Sequence, residues 1–157
     1  MTQTADYPHV TAAAIVHRNG KFLIVEEQSE GRVVLNQPAG HLEIGESLTD
    51  AVIREVREES CYLFTPEYVS GIYHYVAGKN ITYLRFTFTG KVAEKIANCT
   101  LDKGIIATHW MTLDELKAEP ERLRTPLVIE AIEDYINGHH FPLTMIPKLF
   151  LPENSPQ

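Results

Sequence analysis

The segment SLTDAVIREVREES, residues 47–60, reads as a helix whose two faces make opposite demands. Ser47 followed by Asp50 three residues on forms a capping box, and Leu48, Ala51, Val52 and Val56 recur at i, i+3, i+4 and i+8 to make one apolar stripe. A stripe on one side only must be covered by another layer. The strand-like segments of this chain supply it. His9 to Glu27 alternates apolar and polar residues around Arg18-Asn19-Gly20, and Asn-Gly between two such runs predicts a two-residue hairpin. Arg32 to Leu35 is a short strand ending at the Asn36-Gln37-Pro38-Ala39-Gly40 loop, and Gly71 to Val76 with Ile81 to Gly90 predicts a second hairpin turning at Gly78-Lys79-Asn80. Ile105 to Met111 is a further strand. Short helices follow at Thr112 to Ala118, capped by Thr112 and Glu115, and at Pro126 to Asn137, stopped by Gly138. Two hairpins with a helix between them and helices at the end predict an α/β domain: a mixed sheet with helices on both sides.

The chain has 157 residues, of which 44 % are hydrophobic. A chain of this size buries about 69 % of its unfolded surface, enough for one core without metal or disulfide staples. A single domain over residues 1–157 is expected, with a loosely held tail from about residue 147 that carries Pro152 and Pro156. The formal net charge of −7 excludes a protein that grips a nucleic-acid backbone by bulk charge. The start lacks the basic residues and apolar run of a signal peptide, and no stretch approaches the roughly 18 apolar residues of a membrane span, so a cytoplasmic protein is expected. In a reducing compartment Cys61 and Cys99 are expected as buried free thiols, and the sequons at Asn80 and Asn98 as chance matches.

Much of the acid excess is local. Residues 40–60 hold Glu43, Glu46, Asp50, Glu55, Glu58 and Glu59 against Arg54 and Arg57, a net of −4. Glu55, Glu58 and Glu59 project from one helix face at i, i+3 and i+4, where like charges repel and helix stability gains nothing. A solvated acidic face is the bland explanation. The apolar stripe behind the carboxylates and the glycine loop before them favour another: carboxylate oxygens beside a backbone carbonyl suit a hard cation such as Mg²⁺.

These residues carry a resemblance. Gly40, Glu46 and the run Arg54-Glu55-Val56-Arg57-Glu58-Glu59, at their spacing, resemble the Nudix box of the Nudix hydrolases. Six fixed positions match by chance about once in ten million starts. The resemblance extends to the NudJ group of bacterial phosphatases through His9-Val10-Thr11, Asn36 to Glu43, Leu84-Arg85-Phe86, Arg124 with Pro126-Leu127-Val128, and Tyr135 to Ile146. It implies an α/β/α sandwich with a mixed sheet and a Mg²⁺ site, with Mn²⁺ as a substitute. Glu55, Glu58, Glu59 and the Gly40 carbonyl would be ligands, Glu46 would act through water, and Arg54 would orient the carboxylates. Water would attack phosphorus with Glu55 or Glu59 as base. The implied substrates are nucleoside tri- and diphosphates and thiamine-related diphosphates, including hydroxymethylpyrimidine diphosphate. ADP-ribose, dinucleoside polyphosphates or oxidised nucleotides remain open, as does a binding module without turnover. The implied partner is a small phosphorylated molecule, with no nucleic-acid polymer or membrane, and the chain is expected as a monomer or homodimer.

The pattern is broken in three places. Cys61 stands where the box usually has glycine. Gly104, six residues before Trp110, stands where many relatives have an acid, which leaves Asp102 as a weaker candidate. Leu35 replaces a Trp of the NudJ group. Beyond the box, Arg85 is expected as a phosphate clamp, because a half-buried arginine among apolar neighbours needs an anion. Arg124 is a second candidate, Asn36 and Gln37 are candidates for a base edge or for ordinary turn chemistry, and Tyr75 is one of the hairpin aromatics (with Tyr73, Tyr83 and Phe86) able to stack on a ring. Trp110 is expected in the core, and His139-His140 has no assigned role.

Overall fold

A computed structural model describes residues 7–78 and 81–151. Lys79 and Asn80 of the second hairpin's turn and the tail prolines Pro152 and Pro156 lie outside the described residues. The first hairpin forms as its turn dictates: β1 (His9–Arg18) and β2 (Lys21–Ser29) join through Asn19 and Gly20, both at positive φ. The two strands pair only next to the turn, at His17–Phe22 and Arg18–Lys21, and then part. β2 goes on to pair with β3 (Arg32–Asn36) and β7 (Ile105–Met111). β1 takes β4 (Ala39–His41), antiparallel, and on its other side β6 (Ile81–Lys95), parallel. β5 (Tyr62–Ala77) pairs with β6, and β8 (Phe141–Pro142) with β5. The result is a mixed eight-stranded sheet, the α/β sandwich that the pattern of elements predicts.

Helix α1 (Leu48–Ser60) opens at Ser47, whose hydroxyl accepts from the Asp50 N–H. Its apolar stripe, Leu48, Ala51, Val52 and Val56, packs with Ala12, Ala14, Phe86 and Phe88 of the sheet. On the opposite face Ile15, Phe22, Ile24 and Leu35 pack against Leu116 of α2 (Leu113–Lys117) and Ala131 and Ile132 of α3 (Leu127–Ile136). Trp110 is partly buried against the α1 core. The sheet therefore separates two cores, one for each helical layer.

Two local readings need correction. Residues 39–41 are not purely loop: they form β4, a strand too short to show a period of two, made by the gap that opens between β1 and β2. Cys61 and Cys99 are not free thiols but a disulfide, with Cα atoms 5.8 Å apart. Cys61 ends α1 in the left-handed region, at φ 59°, ψ 27°, and its N–H donates to the Arg57 carbonyl. The loop after β6 returns to this point, where the Ile96 N–H donates to the Cys61 carbonyl and the Asp102 N–H to the Glu58 carbonyl. Contacts 35 and more residues apart decide the pairing, and no local pattern encodes them.

Candidate active site

The carboxylates of the box converge on one guanidinium. Arg54 spends all five N–H groups. Its Nε and Nη2 donate to the two oxygens of Glu46 at 3.1 and 2.7 Å, its Nη1 to Glu55 at 2.6 Å and to Glu58 at 3.2 Å, and Nη2 again to the His41 carbonyl at 3.0 Å. Arg54 is held still more firmly protonated by these bonds, and it pulls the Glu46 carboxyl below the usual range. Glu59 stands apart, accepting from the Ala39 N–H at 2.9 Å. Burial, with Glu55 and Glu27 nearby, raises its carboxyl to about 8, and burial also raises that of Glu55. Gly40 lies against the Glu55 carboxylate so closely that a Cβ would overlap it.

As arranged, no three acidic, His or Cys side chains among the described residues are grouped so as to hold a metal ion, and Arg54 engages Glu46, Glu55 and Glu58. The donor chemistry nevertheless fits a hard divalent cation. The side-chain donors are oxygens throughout, two of the carboxylates are buried without enough positive charge to keep them at ordinary acidity, and the glycine leaves room for close approach.

Beside Ala39 and Gly40 opens a cavity of about 490 Å³. Its floor is set by strand register. Thr11 pairs with both His41 and Arg85, Arg85 with Tyr73, and Tyr83 with His9 and Tyr75, and residues paired across strands share a face. Tyr73 marks that face as the α3 side, because its hydroxyl donates to Asp134 at 2.7 Å. Arg85 is 7 % exposed, and burial lowers its guanidinium to about 10, still charged at neutral pH. Its Nη2 donates to Gln37 Oε1 at 2.8 Å, and Gln37 Nε2 donates to the Val128 carbonyl at 2.7 Å. Arg124 pairs with Glu27 at 2.9 Å, and Asn36 Nδ2 donates to the other oxygen of Glu27 at 3.2 Å. A separate cavity of about 340 Å³ by Glu26, His109 and Arg122 touches none of the box carboxylates.

The structure thus gathers Gly40, Asn36, Tyr75, Arg85 and Arg124 at one cavity, with the box carboxylates next to it. Gln37 has a different place from the base edge considered for it. It is 1 % exposed and both ends of its amide are taken by protein partners, so it is a strut between Arg85 and α3. Glu27 escaped the sequence reading. It lies at a register shift of β2 against β7, and nothing in its neighbours marks it as different from Glu26.

This arrangement belongs to a known family. The NUDIX domain model matches residues 7–131, and the chain is a member of the NUDIX family of hydrolases. Members generally use divalent metal ions and act on small phosphorylated substrates. The chain is 38 % identical over 139 residues to the Escherichia coli protein named Phosphatase NudJ, covering 88 % of this chain and 90 % of that one. It is 45 % identical to a NUDIX hydrolase from Nitrosomonas europaea of solved structure, with a TM-score of 0.88 over 91 % of this chain and 98 % of the other. A MutT NUDIX hydrolase from Burkholderia pseudomallei, 21 % identical, shares the fold with a TM-score of 0.69 over 82 % of this chain and 98 % of that one. No helix among the described residues is long and apolar enough to cross a membrane.

Proposed function

We propose that this protein is a Mg²⁺-dependent phosphatase of nucleoside tri- and diphosphates and of thiamine-related diphosphates such as hydroxymethylpyrimidine diphosphate and thiamine diphosphate. The observation that carries this reading is the juxtaposition of buried Glu55 and Glu59 at Gly40 with a cavity floored by the buried cation Arg85. The similarity to Phosphatase NudJ supports release of phosphate in preference to cleavage of ADP-ribose.

In this reading Glu55, Glu58, Glu59 and the Gly40 carbonyl hold the cation, and Glu46 supports them through water. A bound Mg²⁺ neutralises the phosphate oxygens and makes a water more acidic. Arg54 orients Glu46, Glu55 and Glu58 with four of its five donors. Glu55 or Glu59 takes the proton of the attacking water. Arg85, Asn36, Tyr75 and Arg124 form the surface against which the rest of the substrate lies.

Phosphate release from a panel of diphosphates, with Mg²⁺ and with EDTA, tests the proposal. Turnover of ADP-ribose alone would reject it. E59Q is expected to lower Mg²⁺-dependent release by about 100-fold or more while circular dichroism remains native; an unaffected rate would remove Glu59 from its assigned role.

A further inference from the structure

We propose that the Cys61–Cys99 disulfide is a redox switch on the metal site: oxidised, it fixes the last turn of α1 with Glu58 and Glu59, and its reduction by a dithiol reversibly weakens cation binding. Such a switch regulates the site described above, and it rests on the proposed function for the cation that Glu58 and Glu59 hold.

Four non-glycine residues among those described adopt a positive φ: Asn19, Glu30, Cys61 and Asn98. Asn19 and Glu30 each precede a glycine in a two-residue hairpin turn, whose geometry asks for it. The other two stand at the bridge, since Cys61 is one end of it and Asn98 adjoins the other. At φ 59° Cys61 occupies a region that a Cβ disfavours. A glycine would end the helix there at less cost, whereas a cysteine gains a cross-link to a distant loop.

That loop finishes the helix. The last carbonyls of an α-helix lack partners within it, and residues 96–104 supply them from outside. The Asp102 N–H donates to the Glu58 carbonyl and the Ile96 N–H to the Cys61 carbonyl, both at 2.8 Å, with Cys99 bonded to Cys61 between them. The far end of the loop is tied to the sheet, where the Gly104 carbonyl accepts from the Gln28 N–H at 2.8 Å. Opening the bridge leaves Cys61 in its disfavoured conformation without the cross-link that holds it there. The last turn then frays, and it is the turn that carries Glu58 and Glu59. A small hard cation demands ligands at fixed positions and loses affinity when they move. The opposite end of the helix, capped by Ser47, has no part in this.

Access favours exchange at one sulfur. Cys61 is 1 % exposed, whereas Cys99 is half-buried. A thiolate of the dithiol attacks Cys99 Sγ, the S–S bond breaks, and the Cys61 sulfur leaves and takes a proton. The second thiol of the reductant then displaces Cys99. Two protein thiols and one reductant disulfide result, so two electrons and two protons pass from the dithiol to the protein.

The test is Mg²⁺ binding to the full chain, measured by calorimetry on the oxidised protein, after reduction by dithiothreitol, and after reoxidation. Reduction is expected to weaken binding at least about fivefold, and reoxidation to restore it. Coupling is reciprocal, so saturating Mg²⁺ should make the bridge harder to reduce by the same factor, read as the ratio of disulfide to thiol in dithiothreitol buffers. A bridge that only stabilises the fold would shift the unfolding midpoint and leave both of these unmoved, and unchanged Mg²⁺ affinity in folded, reduced protein overturns the proposal. C99S is expected to bind Mg²⁺ as weakly as the reduced wild type and to ignore dithiothreitol; a response that survives in C99S overturns it too. Should C99S fail to fold, C61G suits the left-handed backbone and gives a bridge-free chain for the same comparison. If the oxidised wild type binds no Mg²⁺, it is the proposed function that fails. Amide hydrogen exchange then reads the switch without a metal: faster exchange at the Cys61 and Asp102 N–H groups on reduction, with α3 unchanged, supports it, and no change or a uniform one rejects it.

Discussion

The box and the cavity wall lie side by side, yet they treat their polar atoms in opposite ways. At the box Arg54 spends every donor on Glu46, Glu55, Glu58 and a backbone carbonyl, and Glu59 is tied to the Ala39 amide. At the wall Asn36, Arg85 and Thr125 each keep a buried atom with no partner. The polar atoms of the box are satisfied within the protein itself. The wall therefore carries a desolvation cost that the box does not. One region closes its polar groups on one another, and the other leaves some of them unpaired.

The largest expected effect concerns the box's far end. The Cys61–Cys99 bridge closes a loop with a sequence separation of 38 and pins the C-terminus of α1. Reduction or C99S is expected to lower unfolding stability by about 4 kcal/mol on chain-entropy grounds. Urea denaturation with and without a dithiol reductant measures this, and coincident curves would show that the bridge plays no part in the folded state's stability. Next, Q37L should destabilise by about 2 kcal/mol, because it strips Arg85 of its one side-chain acceptor among the described residues. A smaller loss than that of an average core substitution would mean that Arg85 finds another partner, and that the wall is less strained than its orphan atoms imply.

The last effect is a slope. The Glu59 carboxyl, raised to about 8 in the folded protein against an ordinary value near 4.5, binds its proton more tightly folded than unfolded. Its contribution is complete below the unfolded value and is lost as pH rises through that window toward 8. In EDTA, stability should therefore fall from about pH 5 to about pH 8. E59Q should flatten the fall and Mg²⁺ should oppose it; a slope that survives E59Q would assign the titration to another group.

How legible each region was follows from the range of its contacts. The helix over residues 47–60, with its cap, stripe and carboxylate face, is a matter of spacings of three and four, and the structure reproduces them. The hairpin at Asn19-Gly20 is equally local. The wall was visible only in fragments. Arg85, Asn36 and Tyr75 stand out by residue type, but Glu27, which holds Asn36 and Arg124 in place, lies in a β2 displaced against β7 and has no marker of its own. Gln37 looked like a free amide in a turn because its partners, Arg85 and Val128, are 48 and 91 residues away. The disulfide was hidden for the same reason, and the expected compartment argued against it.

The parting of β1 and β2 has a consequence for how such a protein can change. Ala39, Gly40 and His41 enter the gap as a strand, in register with Ala13, Ala12 and Thr11. A strand's register moves in whole residues, and each step turns every side chain to the other face. Insertions in the surrounding loops can therefore lengthen or reshape the cavity mouth by degrees, while a single residue added between Gln37 and Leu42 would carry Gly40 off its seat against Glu55 in one jump. Variation is graded at the rim of this molecule and quantised where Gly40 meets Glu55.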